Sequence, residues 1–287
     1  MKRPTELSRE IRDLVAAALA EDVGAGDITS RALVPDGTRA RASIVQKQEG
    51  VLFGLEAAGE ALMGSGADSF DPVAIEGQWR EQVPAIVARA AGGAAGLLAG
   101  ERVALNLLGH LSGVATLTAR FVRAVEGSGA RILDTRKTTP GLRSLEKAAV
   151  VAGGGHNHRM GLDDAILIKE NHASLAGGVG EAVRRAREAE PRLEIEVECV
   201  DVDEVREAVA AGADILLFDN MNPEQLAGAV AVAREAGEGG GPELEASGGI
   251  TLENVAEMAA SGVDRISIGA LTHSAPVLDV SMRIELA

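Results

Sequence analysis

The segment LEIEVECVDVDEVREAVAAGADILLFD, residues 193–219, is the clearest indication of the fold in this chain. Its two ends, residues 193–197 and 214–218, are short runs of mainly apolar residues, which predict strands. Between them, residues 202–211 carry apolar side chains at helical spacing. A strand, a helix and a second strand in this order are typical of a parallel sheet, because the helix carries the chain back to the edge where the first strand began.

The same alternation continues on both sides of this segment. Further β-rich runs and amphipathic helical segments follow one another from residue 130 onward, with strands expected at 131–133, 165–168, 243–246 and 265–268, and helices at 179–190, 223–236 and 252–260. Six strands alternating with helices favour a closed or nearly closed α/β barrel. An open, doubly wound sheet is the alternative. We expect the barrel domain to occupy residues 111–274.

The first third of the chain has a mixed pattern. Apolar spacing predicts helices at 6–20 and 55–63, strands at 41–52 and 83–90, and two helices within 94–125 that are broken near residues 109–112. The tail, residues 277–286, reads as a strand that returns to this region. We therefore expect an N-terminal α/β domain at 1–110, joined by a C-terminal strand at about 275–287.

Chemically useful residues follow the predicted strands. In an α/β barrel, reactive side chains lie at the carboxyl ends of the strands. Cations follow the early strands, carboxylates end the middle ones and glycine-rich turns follow the last two. In strand order, these residues are Asp134, Thr135, Arg136 and Lys137; Lys169, Asn171 and His172; Glu198; Asp219; Ser247, Gly248 and Gly249; and Gly269.

The segment 134–172 is a cationic island in an acidic protein. The whole chain has a formal net charge of -15, yet this segment contains three of its five lysines, Lys137, Lys147 and Lys169, together with three arginines. Fixed cations at the end of a barrel predict a site for a multiply anionic small molecule. A solvated basic face is the alternative.

The later strand ends suggest a phosphate site and a carboxylate pair. Glycine turns let backbone N–H groups converge on phosphate oxygens, although such turns in barrels are often structural. Glu198 and Asp219 are candidates for holding Mg²⁺ or ribose hydroxyls, or they are exposed acids at helix starts. We expect His158 and Arg159 to donate to a carboxylate, and His273 to reach a phosphate. His110 reads as a core residue.

Composition excludes several functions. The negative charge argues against a nucleic-acid partner. The longest uncharged run, residues 103–119, contains polar side chains and is a poor membrane span. The single cysteine, Cys199, excludes an internal disulfide framework, and the amino terminus lacks the pattern of a secretory signal. We expect a cytoplasmic protein. Its acidity fits either adaptation to salt or codon bias.

Ordered sequence blocks carry a family resemblance. The chain contains EDVGAGDITS, GERVALNLLGHLSGVATLT, DTRKTTPGLR, GGGHNHRMGLDDAILIKENH, EVEC, FDNM, EASGGI and SIGALTHSAP. With these blocks it resembles the quinolinate phosphoribosyltransferases, the decarboxylating enzymes of NAD biosynthesis, nearly from end to end. The resemblance implies an N-terminal α/β sandwich-like domain joined to an irregular, incomplete α/β (TIM-like) barrel.

The resemblance also implies a reaction. The family transfers the phosphoribosyl group of phosphoribosyl pyrophosphate to quinolinate, releases pyrophosphate and CO₂, and forms nicotinate mononucleotide. It requires Mg²⁺ and works as a homodimer, in which Arg102 would complete the neighbour's site. A higher oligomer is compatible with this pattern.

By the same resemblance, each candidate residue has an expected role. The expected quinolinate ligands are Arg102, Thr135, Arg136, His158, Arg159 and Lys169. The expected ligands of phosphoribosyl pyrophosphate are Lys137, Glu198, Asp219, Ser247, Gly248, Gly249, Ile268, Gly269, Ala270 and His273. Lys137, Lys169, Glu198 and Asp219 are the expected catalytic residues, and Glu198 and Asp219 the expected Mg²⁺ ligands, directly or through water.

Three rival hypotheses are weaker. A related protein associated with molybdenum transport shares this fold, but the chain has the complete set of dicarboxylate-binding cations. A barrel lyase or isomerase acting on a sugar phosphate would explain the glycine turns but not the arginine-rich segment. A non-catalytic binding protein leaves Glu198 and Asp219 unexplained.

Overall fold

The computed structural model describes the backbone of residues 4–237 and 241–287, and side chains from residue 9 onward within these ranges. The chain forms two compact units. The first contains the residues up to 119 together with 138–154 and 271–287, and the second contains 120–137 and 155–270. Among the described residues, no helix combines the length and apolar character needed to cross a membrane.

The elements follow one another along the chain in this order: α1 (Pro4–Val23), α2 (Ile28–Leu33), β1 (Arg39–Gln46), β2 (Gly50–Val51), α3 (Leu55–Ser65), β3 (Ala67–Pro72), β4 (Trp79–Arg80), β5 (Ala85–Gly93), α4 (Ala94–Ala124), β6 (Arg131–Leu133), α5 (Arg143–Ala152), β7 (Ile166–Ile168), α6 (Glu170–Ala176), α7 (Val179–Ala189), β8 (Ile195–Cys199), α8 (Val202–Ala211), β9 (Ile215–Asp219), α9 (Pro223–Ala236), β10 (Glu243–Ser247), α10 (Val255–Ala260), β11 (Arg265–Ser267), α11 (Ala270–His273) and β12 (Val280–Leu286).

The first unit is built on an antiparallel sheet with the strand order β12-β1-β5-β3. The C-terminal strand β12 pairs with β1, with Ala40 opposite Leu286. Along β1 the buried side chains Ala40, Ala42 and Ile44 occupy alternate positions, so one face of the strand points into the core. Helix α3 packs against α1.

Helix α4 differs from the sequence-based expectation. A break was predicted near residues 109–112, but α4 is one continuous helix of 31 residues, so the prediction was wrong. Its glycines allow another segment of the first unit to approach closely. A Cβ atom at Gly113 would lie 2.2 Å from the carbonyl oxygen of Pro276, and one at Gly109 would lie 2.8 Å from Cγ1 of Val277. The glycines therefore serve packing and do not end the helix.

The second unit is built on a six-stranded parallel sheet with the order β6-β11-β10-β9-β8-β7. The six strands expected from the sequence are confirmed, with boundaries displaced by at most two residues. Strands β6 and β7 are the two edges of this sheet, so the barrel is incomplete among the residues that the structure describes. This arrangement confirms the expected TIM-like barrel without full closure.

Local capping explains where the connecting helices begin. The Asp201 side chain accepts hydrogen bonds from the N–H groups of residues 203 and 204 at the start of α8. Asn222 and Gln225 form a reciprocal capping box at the start of α9. Helix α10 begins at Val255, later than the expected residue 252, because the Thr251 N–H donates to Asn254 Oδ1 at 2.8 Å in a preceding turn.

Candidate functional site

A polar pocket of about 200 Å³ lies within the second unit. It is lined by Thr135, Arg136, Lys137, His158, Arg159, Leu167, Lys169, Glu198, Leu217, Asp219, Ser247 and Ser267. Asp219, Ser247 and Ser267 each end a parallel strand and Lys169 directly follows one, and this end of the strands is where barrel enzymes bind ligands. A groove of about 430 Å³ in the first unit is larger, but its lining contains none of the predicted site residues.

The pocket brings together nine residues that the sequence predicts for the site: Thr135, Arg136, Lys137, His158, Arg159, Lys169, Glu198, Asp219 and Ser247. Three lining residues were missed, namely Leu167, Leu217 and Ser267. Leu167 and Leu217 lie two positions before Lys169 and Asp219. The period of two along a strand places such pairs on one face, so this signal was present in the sequence.

One part of the pocket is strongly cationic. Burial and the neighbouring Arg136 guanidinium both disfavour the charged form of Arg159, so the pKa of Arg159 lies below its usual value. Arg159 is held in place by a hydrogen bond from its Nη1 to the Ala165 carbonyl oxygen at 3.2 Å. An anion that binds between two neighbouring arginines reduces the repulsion between their guanidinium groups.

Another part of the pocket carries carboxylates. Glu198 lies on the same face of β8 as Glu196, two positions earlier. Its Oε2 accepts a hydrogen bond from Lys169 Nζ at 2.9 Å. Asp219 accepts a hydrogen bond from Asn220 Nδ2 at 2.7 Å. Burial and the Glu198 charge raise the pKa of Asp219 above its ordinary value. Two converging carboxylates of this kind are oxygen donors that suit a hard divalent cation.

His158 is fixed at three points. Its backbone N–H donates to Asp134 Oδ1 at 2.9 Å, and its Nδ1 accepts from the Arg159 N–H at 2.8 Å. Its Nε2 lies 3.0 Å from Glu196 Oε2 and 3.4 Å from Glu245 Oε1. Burial favours the neutral ring, but the two carboxylates outweigh it and raise the pKa of His158 to about 9. The hydrogen bond that the Arg159 N–H donates to Nδ1 opposes this protonation, since Nδ1 can accept it only when it is unprotonated.

The glycine-rich turns follow strands whose last residues, Ser247 and Ser267, line the pocket. Gly248 and Gly249 both have positive φ, and a Cβ atom at Gly248 would lie 2.4 Å from Asn220 Oδ1. Glycine is therefore required at residue 248 because the neighbouring β9 turn approaches it closely.

The second turn has a different backbone arrangement. The Ile268 N–H donates to the Leu133 carbonyl oxygen at 2.9 Å, so this amide is part of the hydrogen bonding of the sheet. The expected contact of Ile268 with phosphoribosyl pyrophosphate stays a prediction. Gly269 and Ala270 follow directly and are half-buried.

Some predicted site residues belong to the first unit. Arg102 is exposed on α4, and His273 is exposed with its Nδ1 2.6 Å from Ser274 Oγ. His110 was expected to be a core residue; it is half-buried, and its Nε2 lies 2.8 Å from Oε1 of the buried Glu146.

Sequence reasoning missed three buried charged residues near His158, namely Glu196, Glu245 and Arg265. Glu196 lies two positions before the predicted Glu198, and Glu245 lies two positions before Ser247. The same period of two would have placed both on the pocket-facing side of their strands.

Comparison with known families identifies related proteins over nearly the whole chain. A model described as the N-terminal domain of quinolinate phosphoribosyl transferase matches residues 27–112, and a model of the C-terminal domain of the same family matches residues 114–283.

Similar proteins are known from several bacteria. A probable nicotinate-nucleotide pyrophosphorylase [carboxylating] of Bacillus subtilis is 41% identical, over 97% of this chain and 94% of the relative. A nicotinate-nucleotide pyrophosphorylase [carboxylating] of Mycobacterium leprae is 42% identical, over 94% of this chain and 96% of the relative. A solved nicotinate-nucleotide pyrophosphorylase from Francisella tularensis superimposes with a TM-score of 0.91 at 35% identity, covering 99% of this chain and 98% of that one.

Proposed function

Because the chain belongs to the quinolinate phosphoribosyltransferase family, we propose that it transfers the phosphoribosyl group of phosphoribosyl pyrophosphate to quinolinate with loss of CO₂. The products are nicotinate mononucleotide, pyrophosphate and CO₂. The observation that carries this proposal is a pocket that combines Arg136, Arg159 and Lys169 with the carboxylates Glu198 and Asp219.

The cations suit quinolinate. This substrate carries two adjacent carboxylates on a pyridine ring, and arginine binds carboxylates through paired N–H groups. We assign quinolinate to Arg136, Arg159 and Lys169, with Thr135 and His158 beside them. The mutual repulsion of the Arg136 and Arg159 guanidinium groups supports this assignment, since a bound dianion relieves it.

The carboxylates suit the ribose. When the quinolinate nitrogen attacks the anomeric carbon, the bond to pyrophosphate breaks and the ribose gains oxocarbenium character. Glu198 and Asp219 stabilise this positive charge when both are ionised. Lys169 Nζ lies 2.9 Å from Glu198 Oε2, so the cation assigned to quinolinate lies next to the carboxylates assigned to the ribose.

The residues also fit a magnesium ion. Glu198 and Asp219 offer oxygen atoms, and burial together with the neighbouring Glu198 charge raises the pKa of Asp219. We propose that these two residues hold Mg²⁺ directly or through water. Bound Mg²⁺ supplies positive charge that stabilises the departing pyrophosphate.

Lys137 and the glycine turns suit the phosphate groups. Lys137 offers a compact positive charge to the pyrophosphate. Ser247, Gly248 and Gly249 present hydroxyl and backbone N–H groups to a phosphate, followed by Gly269 and Ala270 on the next turn. His273 is assigned to the same substrate on the basis of the family resemblance.

Decarboxylation follows from the ring chemistry. Once the nitrogen carries the ribose, its positive charge stabilises the carbanion that forms at C2 as CO₂ leaves, and the carbanion then takes up a proton. We assign control of this step to Lys169 and Arg136, which would hold the C2 carboxylate until the ring is alkylated.

We further propose a cytoplasmic homodimer. By family resemblance, Arg102 completes the quinolinate site of the neighbouring subunit, which agrees with its exposed position on α4. The reaction joins two small, highly charged metabolites and requires no membrane or nucleic acid.

The decisive experiment incubates the purified protein with phosphoribosyl pyrophosphate, Mg²⁺ and either quinolinate or nicotinate, and detects nicotinate mononucleotide by mass spectrometry. We expect product from quinolinate only, and no product when Mg²⁺ is removed by chelation. A folded protein that forms no product from quinolinate would overturn the proposal.

A further inference from the structure

Three buried charged residues, Glu196, Glu245 and Arg265, form a layer beneath the pocket in the second unit. Each strand contributes a pair of residues two positions apart, which share a face: Glu196 and Glu198, Glu245 and Ser247, and Arg265 and Ser267. Glu196 is 3% exposed, Glu245 0% and Arg265 8%. Barrel interiors are usually filled with branched apolar side chains, so three charged residues here need a physical reason.

A bound metal is a poor explanation of this layer. Ligand atoms of His158, Glu196 and Glu245 lie within 4.8 Å of one another, which resembles a metal-binding group. However, Arg265 Nε lies 2.9 Å from Glu245 Oε2. The guanidinium already supplies the positive charge that Glu245 needs, and it would repel a metal ion.

The contacts of these buried residues instead connect them to His158 and Arg159, which line the pocket. Glu196 Oε2 lies 3.0 Å from His158 Nε2, and the other ring nitrogen accepts the Arg159 N–H at 2.8 Å. A chain of contacts therefore runs from the buried carboxylate through the imidazole to the backbone of Arg159. Arg159 must be held near Arg136 against the repulsion between the two guanidinium groups.

We propose that Glu196 is a positioning residue for quinolinate: it holds the His158 ring, and through this ring it holds the backbone of Arg159, so that the dicarboxylate site is assembled before substrate arrives. On β10, Glu245 places Oε1 3.4 Å from the same His158 Nε2, and Arg265 on β11 pairs with Glu245. This inference rests on the proposed function, because quinolinate is the ligand that the assembled site would bind. Preorganised contacts reduce the ordering cost of binding.

The test compares two substitutions of nearly equal size. Glu196→Gln keeps an oxygen that accepts from the His158 Nε2–H, whereas Glu196→Met fills a similar volume without a comparable acceptor. We expect Glu196→Met to raise the KM for quinolinate at least about tenfold, with the KM for phosphoribosyl pyrophosphate unchanged. Glu196→Gln should stay within about threefold of wild type in both constants.

Glu243→Gln is the matched control. Glu243 lies on the same strand as Glu245 and also contacts Arg265, with Oε2 3.4 Å from Nη1, but it is exposed and is the first residue of the strand, away from the pocket end. Its substitution should leave the KM for quinolinate unchanged. If Glu196→Met does not fold, the double variant Glu196→Met/Arg265→Met removes one charge of each sign and carries the same expectation.

The outcomes separate this inference from the proposed function. A wild-type protein that does not convert quinolinate overturns both. If the wild type is active but Glu196→Met and Glu196→Gln have equal KM values for quinolinate, only the positioning role is overturned. An equal rise in the KM values of both substrates would also overturn it, because that result indicates general damage to the sheet.

Discussion

Arg136 and Arg159 show how individual residues define the ligand of this pocket. Their guanidinium groups oppose each other's charge, and Arg159 is also partly buried. Two neighbouring guanidinium groups repel each other, and a doubly negative ligand that binds between them offsets this repulsion. Neighbouring Lys169 has a different role, since it already forms an ion pair with Glu198.

Loss of one guanidinium should weaken quinolinate binding. Arg136→Gln is expected to raise the KM for quinolinate by about 10- to 100-fold, because hydrogen bonds to charged groups contribute roughly 1.5–3 kcal/mol. Steady-state kinetics with quinolinate as the varied substrate measures this effect. Arg184→Gln is the control, since Arg184 is an exposed residue of α7 that pairs with Glu181 at 2.9 Å. An unchanged KM in Arg136→Gln would contradict the assignment.

At the scale of single elements, the glycines of α4 have a packing function. Gly113 is buried where the backbone at Pro276 passes, whereas Gly228 on α9 has open space around its Cα. Both positions are helical, so alanine is intrinsically favoured at each by roughly 1 kcal/mol. Only the surroundings differ between them.

Alanine substitutions at these two glycines should therefore have opposite effects. Gly113→Ala is expected to lower the free energy of unfolding by about 1–3 kcal/mol, since its new methyl group would overlap the Pro276 carbonyl. Gly228→Ala should raise the free energy of unfolding by up to about 1 kcal/mol. Denaturant unfolding of both variants measures the difference. A stabilised Gly113→Ala would show that α4 does not pack in this way.

At the scale of the whole molecule, the proposed dimer makes the site depend on two chains. The pocket residues all belong to the second unit, while Arg102 belongs to the first. If Arg102 acts on the neighbouring subunit, each complete site contains residues of both subunits. This proposal predicts complementation between inactive variants.

A mixed dimer of Arg102→Ala and Lys169→Ala chains tests this arrangement. Purified through two different affinity tags, it should carry one intact site and show about half of the wild-type activity, while each variant dimer alone is nearly inactive. No recovery of activity in the mixed dimer would show that Arg102 acts within its own chain. A monomer in solution would contradict the dimer itself.

Much of the second unit could be predicted because its signals are local. Each strand of the parallel sheet is a short apolar run, and each connecting helix has apolar residues at helical spacing, so the strand boundaries were displaced by two residues at most. Residues that follow strands could be assigned to one end of the sheet for the same reason. Nine of the predicted site residues line one pocket.

The parallel α/β architecture and the charged residues at its strand ends follow from the sequence alone, because periodicity and residue type are properties of neighbouring positions. In contrast, the continuity of α4 through Gly109 and Gly113 depends on tertiary packing, since the segment at 276–278 that packs there is distant in sequence. Tertiary packing also places Glu196, Glu245 and Arg265 in one buried group beside His158. These contacts join separate strands, and their energies depend on burial and on partners that no single stretch of sequence contains.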